Sequence, residues 1–213
     1  MNRLEELLSL DPRNDVSRET ILKIEAFENL LREENARQNL VSAASLDEFW
    51  ARHILDSAQL TYWSAPDATW IDLGSGAGFP GLVTSLLRRS MTILVDERRL
   101  RCAFLERAAH ILRIEGHTQI LCSRVETAPP GQYDVISARA FAPLDRLFAL
   151  GERFSHPRTR WILPKGRKAK SELEAALASW QGEFRLEPSR TDAEAWIVVA
   201  EKVRRKPQGK TRP

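Results

Sequence analysis

The segment 69–81 constrains the fold of this chain more than any other part of the sequence. It runs Thr-Trp-Ile-Asp-Leu-Gly-Ser-Gly-Ala-Gly-Phe-Pro-Gly, so an apolar stretch ends at Asp72 and glycines follow at alternate positions. Glycine permits positive φ and close approach of a ligand to the backbone. Pro80 suits the first turn of a helix. The pattern predicts a strand, a ligand-binding turn and a helix, in that order.

Two classes of ligand fit this turn. The spacing Gly76-x-Gly78-x-x-Gly81 is that of a dinucleotide-binding turn, whereas Gly74-x-Gly76-x-Gly78 after an acid is typical of S-adenosylmethionine (SAM) methyltransferases. A dinucleotide would bring a pyrophosphate beside the carboxylate of Asp72, whereas the methionine part of SAM carries an ammonium and a sulfonium group. Like charges repel, so Asp72 favours SAM. Asp96, at the end of the next predicted strand, can accept the ribose hydroxyls of either ligand.

Beyond residue 66, predicted strands alternate with predicted helices, which indicates a doubly wound α/β fold. The last two of seven strands lie too close in sequence for a crossover and must therefore be antiparallel. This predicts a Rossmann-like, seven-stranded sheet of the class I SAM-methyltransferase kind, mostly parallel, with an antiparallel closing hairpin. The predicted strands are 69–73, 91–95, 118–122, 133–137, 159–163, 184–187 and 195–200.

Residues 1–65 predict a helical extension. Ser17 can cap a helix with an apolar stripe, and Ser45-Leu-Asp-Glu48 fits a capping box that opens a second helix through about Leu60. The chain is thus expected to divide into the extension 1–65, a methyltransferase domain 66–203 and a basic flexible tail 204–213.

The net charge of +3 is unevenly distributed along the chain. Residues 1–65 hold seven basic and twelve acidic residues, whereas 158–170 holds six basic residues and no acid. Such a cluster favours a polyanionic partner, because neutralising phosphates dominates nucleic-acid affinity. The alternative is a solvated face. We expect RNA contacts at Lys165, Arg167 and Lys168.

Bulk features exclude several classes of protein. No apolar run approaches the ~18 residues of a membrane span, and the first residues lack the apolar core of a signal peptide. Two cysteines supply neither a disulfide framework nor a zinc cluster. We expect a cytoplasmic monomer without metal or membrane partner. The four histidines are scattered and are predicted to serve packing or the surface.

The absence of two sequence signatures of methyltransferases narrows the class of methyl acceptor. Amino-group methyltransferases place Asn/Asp-Pro-Pro-aromatic after the fourth strand, where this chain has Ser137-Ala-Arg-Ala-Phe-Ala142. Carbon-5 methyltransferases need a cysteine in the site, and Cys102 and Cys122 fall in a predicted helix and strand, beside apolar neighbours that predict burial. An acceptor such as guanine N7 has a lone pair and no proton to remove, so proximity and orientation can supply most of the rate. Arg139 and Lys165 can hold phosphate or the guanine edge, and no catalytic residue is predicted.

Six motifs in this order resemble a known family, the bacterial small-subunit ribosomal RNA guanine-N7 methyltransferases, also called glucose-inhibited division protein B. The resemblance runs from about Asn35 to Lys202. The motifs are Asn39-Leu-Val, Arg52-His-Ile-Leu-Asp-Ser57, the glycine turn Asp72–Gly81, Ser123-Arg-Val-Glu126, Ser137-Ala-Arg-Ala-Phe-Ala142 and Pro164-Lys-Gly166.

The resemblance implies SAM-dependent methylation of a guanine N7 in the 530 loop of 16S rRNA, with the 30S subunit as partner. It implies SAM contacts at Gly74, Phe79, Val125, Glu126 and Arg139. Two other functions stay open on the residues alone: an NAD(P)-dependent oxidoreductase, and a non-catalytic RNA-binding or ribosome assembly factor.

Overall fold

A computed structural model describes residues 2–207 of the chain. Seven strands form one sheet in the order β3-β2-β1-β4-β5-β7-β6. All neighbours are parallel except β7, which is antiparallel to both β5 and β6. The predicted seven-stranded sheet with its closing hairpin is therefore confirmed. The strands are β1 (Trp70–Leu73), β2 (Thr92–Asp96), β3 (Thr118–Cys122), β4 (Val135–Ser137), β5 (Arg160–Lys165), β6 (Trp180–Pro188) and β7 (Trp196–Arg205).

Eight α-helices accompany the sheet within the described residues. They are α1 (Arg3–Leu10), α2 (Arg18–Gln38), α3 (Ala43–Asp47), α4 (Asp56–Ala58), α5 (Gly81–Arg88), α6 (Arg99–Leu112), α7 (Leu144–Gly151) and α8 (Ala169–Ala176). A π-helical segment, Trp50–Leu55, runs directly into α4, and 3-10 turns cover Gln59–Trp63 and Glu152–Phe154. No helix in residues 2–207 combines the length and apolar character needed to cross a membrane.

The N-terminal helices begin partly where the sequence predicts. Ser17 caps α2, because its side chain accepts a hydrogen bond from the Thr20 amide. The prediction of a capping box at Ser45–Glu48 is wrong. Ser42 caps α3 instead, because its side chain accepts a hydrogen bond from the Ser45 amide. The Ser45 hydroxyl donates to the Ser42 carbonyl oxygen and does not cap a helix.

The last strand of the sheet extends into the predicted tail. Strand β7 continues through Arg205, two residues past the expected end of the domain at 203. Arg205 also lies over the Trp180 ring at 5.0 Å. Residues 208–213, which make up most of the predicted basic tail, lie outside the described residues.

Four phenylalanine rings join the extension to the sheet. Phe27 of α2 lies 5.5 Å from Phe79 and 6.2 Å from Phe104 of α6, while Phe49 lies 6.2 Å from Phe79. All four are at most 3% exposed and belong to one core cluster with α5 and α6. Because aromatic side chains bury the largest apolar areas, this cluster fixes the extension against the glycine turn that contains Phe79.

A buried ion pair makes a second junction between the extension and the sheet. Asp11 is fully buried and accepts from Arg88 of α5, whose side chain is 2% exposed. Arg13 also donates to Asp11, at 2.8 Å from its Nε, and Arg88 reaches the Thr61 carbonyl oxygen at 2.8 Å. Burial raises the pKa of Asp11, but the hydrogen bonds from Arg13 and the charge of Arg88 outweigh it, and the net pKa is lowered.

We expect Asp11→Asn to destabilise the protein by about 3–5 kcal/mol, because it leaves the Arg88 guanidinium buried without its counter-charge. The matched control is Asp15→Asn, since Asp15 pairs with the next residue, Arg89, at 2.7 Å on the exposed surface. That control should lose less than about 1 kcal/mol. Urea unfolding measures the free energy of unfolding of both variants. Equal losses would show that the buried pair contributes no more to stability than the exposed pair.

Candidate active site

Two cavities open at the carboxyl edge of the parallel strands, where ligands bind in doubly wound folds. The smaller, of about 330 Å³, lies beside the glycine turn and the ends of β2 and β3. The larger, of about 600 Å³, lies beside the ends of β4 and β5 and takes part of its wall from the N-terminal extension. Ala140 and Phe141 line both cavities and therefore form the wall between them.

The glycine turn borders the smaller cavity at Gly74 and has a backbone conformation that residues with a side chain disfavour. Gly74, Gly76 and Gly78 have φ values of 71°, 57° and 90°. A Cβ atom on Gly74 would lie 2.9 Å from the Cγ of Phe141, and closer still to its Cδ2. The Gly74 and Ser75 amides donate to the Val95 carbonyl oxygen at 2.9 and 3.0 Å, which ties the turn to β2.

Four of the predicted cofactor residues line the smaller cavity: Gly74, Asp96, Val125 and Glu126. Asp96 ends β2 and is 5% exposed. Its Oδ2 accepts from the Gly76 amide at 3.0 Å, and its Oδ1 accepts from the Arg98 amide at 2.9 Å. Each carboxylate oxygen has two acceptor positions, so both oxygens can still accept a ligand hydroxyl.

Asp72 does not face either cavity, in contrast to its expected place beside the cofactor. Its side chain is fully buried, with Oδ1 accepting from the Ser137 hydroxyl at 2.6 Å and Oδ2 from the Gly81 amide at 3.3 Å. Ser137 in turn accepts from Trp70 Nε1 at 2.7 Å. Burial is the main cause that raises the pKa of Asp72 to about 6. The carboxylate therefore joins β1, β4 and α5 behind the turn.

Three further predicted cofactor residues support the turn from behind and line neither cavity. The Gly76 amide is bound to Asp96, and a Cβ atom on Gly78 would lie 2.7 Å from Leu82 Cγ. The Phe79 ring is 3% exposed and belongs to the aromatic cluster shared with the extension. Gly78 and Phe79 are therefore explained by close packing against α5 and the extension, and Gly76 by its hydrogen bond to Asp96.

Arg139, for which the resemblance implies a SAM contact, lines the larger cavity and not the smaller one beside the glycine turn. Its Nη1 donates to the Arg52 carbonyl oxygen at 3.1 Å, and its Nη2 lies 3.1 Å from Nδ1 of His53. The guanidinium also sits 3.6 Å from Asp56 and 5.0 Å above the Phe79 ring. The extension and the turn together hold this arginine at the cavity wall.

His53 lines the larger cavity, whereas the sequence predicts a packing or surface role for it. Its ring is 4% exposed and stacks on Phe79 at 4.6 Å with an interplanar angle of 14°. Burial first, and then the charges of Arg139 and Arg52, lower the pKa of His53 to about 3. The imidazole is therefore neutral, and because Arg139 can only donate, Nδ1 accepts and the proton sits on Nε2. The motif Arg52-His-Ile-Leu-Asp-Ser57 was the signal that could have identified it.

The three predicted RNA contacts separate in the structure. Lys165 lines the larger cavity, where its Nζ donates to the Ala142 carbonyl oxygen at 2.7 Å and to Glu172 at 2.9 Å. Arg167 is exposed and pairs with Glu194 at 2.7 Å, and Lys168 is exposed just before α8. Neither lines a cavity, although both follow Gly166, which does.

Neither of the two cysteines lines a cavity. Cys102 is buried, whereas Cys122 is exposed, in contrast to its predicted burial. Cys122 ends β3, where the strand residues are only partly covered. Within residues 2–207, no three His, Cys, Asp or Glu side chains are grouped so that they could hold a metal ion.

Residues 20–190 match the family described as GidB, rRNA small subunit methyltransferase G. A relative named Ribosomal RNA small subunit methyltransferase G, from Zymomonas mobilis subsp. mobilis, is 44% identical over 98% of this chain and 97% of its own length. One of the same name from Rhizorhabdus wittichii is 48% identical, covering 92% and 90%. The solved structure of ribosomal protein L11 methylase from Lactobacillus delbrueckii subsp. bulgaricus matches with a TM-score of 0.55 at 19% identity, over 70% of this chain and 78% of that one. The structural likeness supports the fold, and the class I methyltransferase fold is confirmed.

The buried carboxylate of Asp72 should make stability depend on pH. Its pKa rises from 3.8 to about 6 on folding, so the folded protein binds more protons than the unfolded chain between these values. The stability that Asp72 contributes is therefore present below pH 3.8 and is lost as pH rises through about 6, on the order of 3 kcal/mol in total. Asp72→Asn should remove this part of the pH dependence, measured by urea unfolding from pH 4 to 7.

The matched control is Asp67→Asn, which changes an exposed carboxylate in the loop before β1. It should retain the native pH dependence of the unfolding free energy. If Asp72→Asn also retains it, the carboxylate does not change its protonation on folding and the stated origin of the effect is wrong.

Proposed function

The chain belongs to the GidB family, rRNA small subunit methyltransferase G, and from that membership we propose that it transfers the methyl group of SAM to N7 of a guanine in the 530 loop of 16S rRNA. The observation that carries the proposal is the pair of cavities separated by a single wall, Ala140 and Phe141. Methyl transfer needs two ligands to meet across one short distance, and this edge of the sheet provides adjoining places for both.

The smaller cavity fits SAM. Asp96 offers carboxylate oxygens for ribose hydroxyls, Gly74 presents its backbone without a side chain, and Val125 and Glu126 complete the wall. When bound, SAM supplies an electrophilic methyl group on its sulfonium. The residues named here bind and orient it, while Asp72, Gly76, Gly78 and Phe79 keep the turn in shape.

The larger cavity fits a guanine with its phosphates. Arg52, Arg139 and Lys165 give this cavity three cationic side chains, which pair with three carboxylates of the same lining, Asp192, Asp56 and Glu172 respectively. Arg139 uses one N–H on the Arg52 carbonyl oxygen and one on His53, and a guanidinium has five, so donors remain for phosphate or for guanine O6. Arg167 and Lys168 extend the basic surface beyond the cavity.

Guanine N7 also agrees with the state of the His53 imidazole at this cavity. His53 Nδ1 already accepts from Arg139, so this nitrogen cannot take a proton from a substrate. An N7 acceptor requires no deprotonation, so orientation by the basic side chains and the shared wall suffices. We expect 16S rRNA within the 30S subunit as the partner, and a cytoplasmic monomer as the working form.

A dinucleotide-dependent oxidoreductase is disfavoured by the sheet. Strand β7 lies antiparallel between β5 and β6, whereas a dinucleotide fold adds a second parallel mononucleotide-binding half. The overlap of Gly76-x-Gly78-x-x-Gly81 with the dinucleotide spacing is thus a consequence of Gly81, which packs against Asp72.

The decisive experiment supplies the protein with methyl-labelled SAM and 30S subunits from a strain that lacks the corresponding gene. We expect label in 16S rRNA, located at one guanine of the 530 loop by borohydride and aniline cleavage at N7-methylguanine. Subunits from the parent strain should accept little label. Binding of 30S subunits without label would favour an assembly factor, and binding of NAD but not SAM in titration calorimetry would favour the oxidoreductase.

Gly74→Ala should weaken SAM binding more than tenfold, because the added Cβ meets Phe141 and the backbone φ of 71° is strained for alanine. Titration calorimetry with SAM measures the change. Gly116→Ala is the matched control, since a Cβ at Gly116 has no neighbour within 4 Å, and it should bind SAM as the native protein does. Native affinity in Gly74→Ala would place SAM elsewhere.

A further inference from the structure

The wall between the two cavities is a short loop after β4. Ala140, in its middle, has a φ of 52°, a left-handed conformation uncommon for a residue with a side chain. A strained residue persists only where its surroundings hold it. Here they do so from both ends, because Arg139 is bound to the Arg52 carbonyl oxygen and His53, and the Ala142 carbonyl oxygen accepts from Lys165.

Phe141 projects from this loop with its ring between the cavities. The ring rests on Gly74, where even a Cβ atom would come within 2.9 Å of its Cγ and Cε2. It is nevertheless 37% exposed, and it lines both cavities. A ring that only filled space would be covered; this one has one part against the glycine turn and another part open to solvent.

The surroundings of the open part indicate what can cover it. Arg139 and Lys165, two of the three cations on the larger cavity, lie at the two ends of the loop, since Arg139 precedes Ala140 in the chain and Lys165 binds the Ala142 carbonyl oxygen. An exposed aromatic ring between cations is the arrangement with which proteins bind an unstacked nucleobase, the ring by stacking and the cations through phosphate.

We propose that Phe141 is the stacking surface for the acceptor guanine and so positions its N7 at the wall of the SAM cavity. This inference rests on the proposed function and names a positioning residue for it. Because Gly74 has no Cβ atom, the Phe141 ring packs directly on the backbone of the glycine turn, and this contact fixes the distance between the ring and the turn. Stacking then sets how far the base plane lies from the cofactor without any covalent or proton-transfer step.

Three variants of Phe141 distinguish stacking of a base on its ring from a side chain that only fills the space between the cavities. Phe141→Leu keeps an apolar side chain without a π face, Phe141→Ala removes the side chain, and Phe141→Tyr keeps the aromatic ring. Leu177→Ala is the matched control, because Leu177 is also 37% exposed and lines neither cavity. Single-turnover methyl transfer to gene-deficient 30S subunits at saturating SAM is measured for each variant, together with SAM affinity and thermal unfolding.

We expect Phe141→Leu and Phe141→Ala to lower the apparent second-order rate toward 30S subunits by about 10- to 100-fold, the range that loss of one base–aromatic stack gives. Phe141→Tyr should stay within about threefold of native, because tyrosine also offers a ring face for stacking. SAM affinity should change less than about threefold in the Leu and Tyr variants, whose side chains still cover Gly74. Leu177→Ala should match the native protein in all respects.

Several results would overturn the inference. A Phe141→Leu variant as fast as native would show that the side chain only fills space. A loss that appears entirely in SAM affinity would assign Phe141 to the cofactor cavity, and a Tyr variant as slow as the Ala variant would exclude stacking. Failure of the native protein itself to label any 30S subunit would instead refute the proposed function, and this inference with it.

Discussion

The carboxylate of Asp72 is the interaction on which the arrangement of the site depends. It accepts from Ser137 at the end of β4 and from the Gly81 amide at the start of α5, directly behind the glycine turn. These are the elements that meet where the sheet reverses its strand order, so one buried group sets the spacing between the turn and the loop after β4. Both cavities take their shape from that spacing, although Asp72 reaches neither of them.

A stack of side chains connects this centre to the N-terminal extension. The Phe79 ring has His53 on it at 4.6 Å and the Arg139 guanidinium above it at 5.0 Å, while its other neighbours are Phe27 and Phe49. The larger cavity is therefore built jointly by two parts of the chain that are separate in sequence. The desolvation that lowers the pKa of His53 is a result of this packing.

The fold was largely predictable because strand and helix periodicity are local properties. Strand alternation and the short last connection were enough for the sheet and its hairpin. The glycine turn could likewise be located, since glycine spacing is local. Which side of the turn a residue faces is not local: Asp72 and Phe79 line neither cavity because α5 and the extension cover them. His53 was missed for the same reason, as its role comes from Arg139, 86 positions away.

The four-ring cluster of Phe27, Phe49, Phe79 and Phe104 has a consequence for how mutations distribute over this protein. Rings in α2 and α6 touch no cavity, yet they carry the ring on which Arg139 and His53 rest. The set of positions at which a single substitution can abolish activity therefore extends well beyond the two cavities, into helices that never meet a ligand. In sequence variation, those distant core positions should be as restricted as the residues of the site.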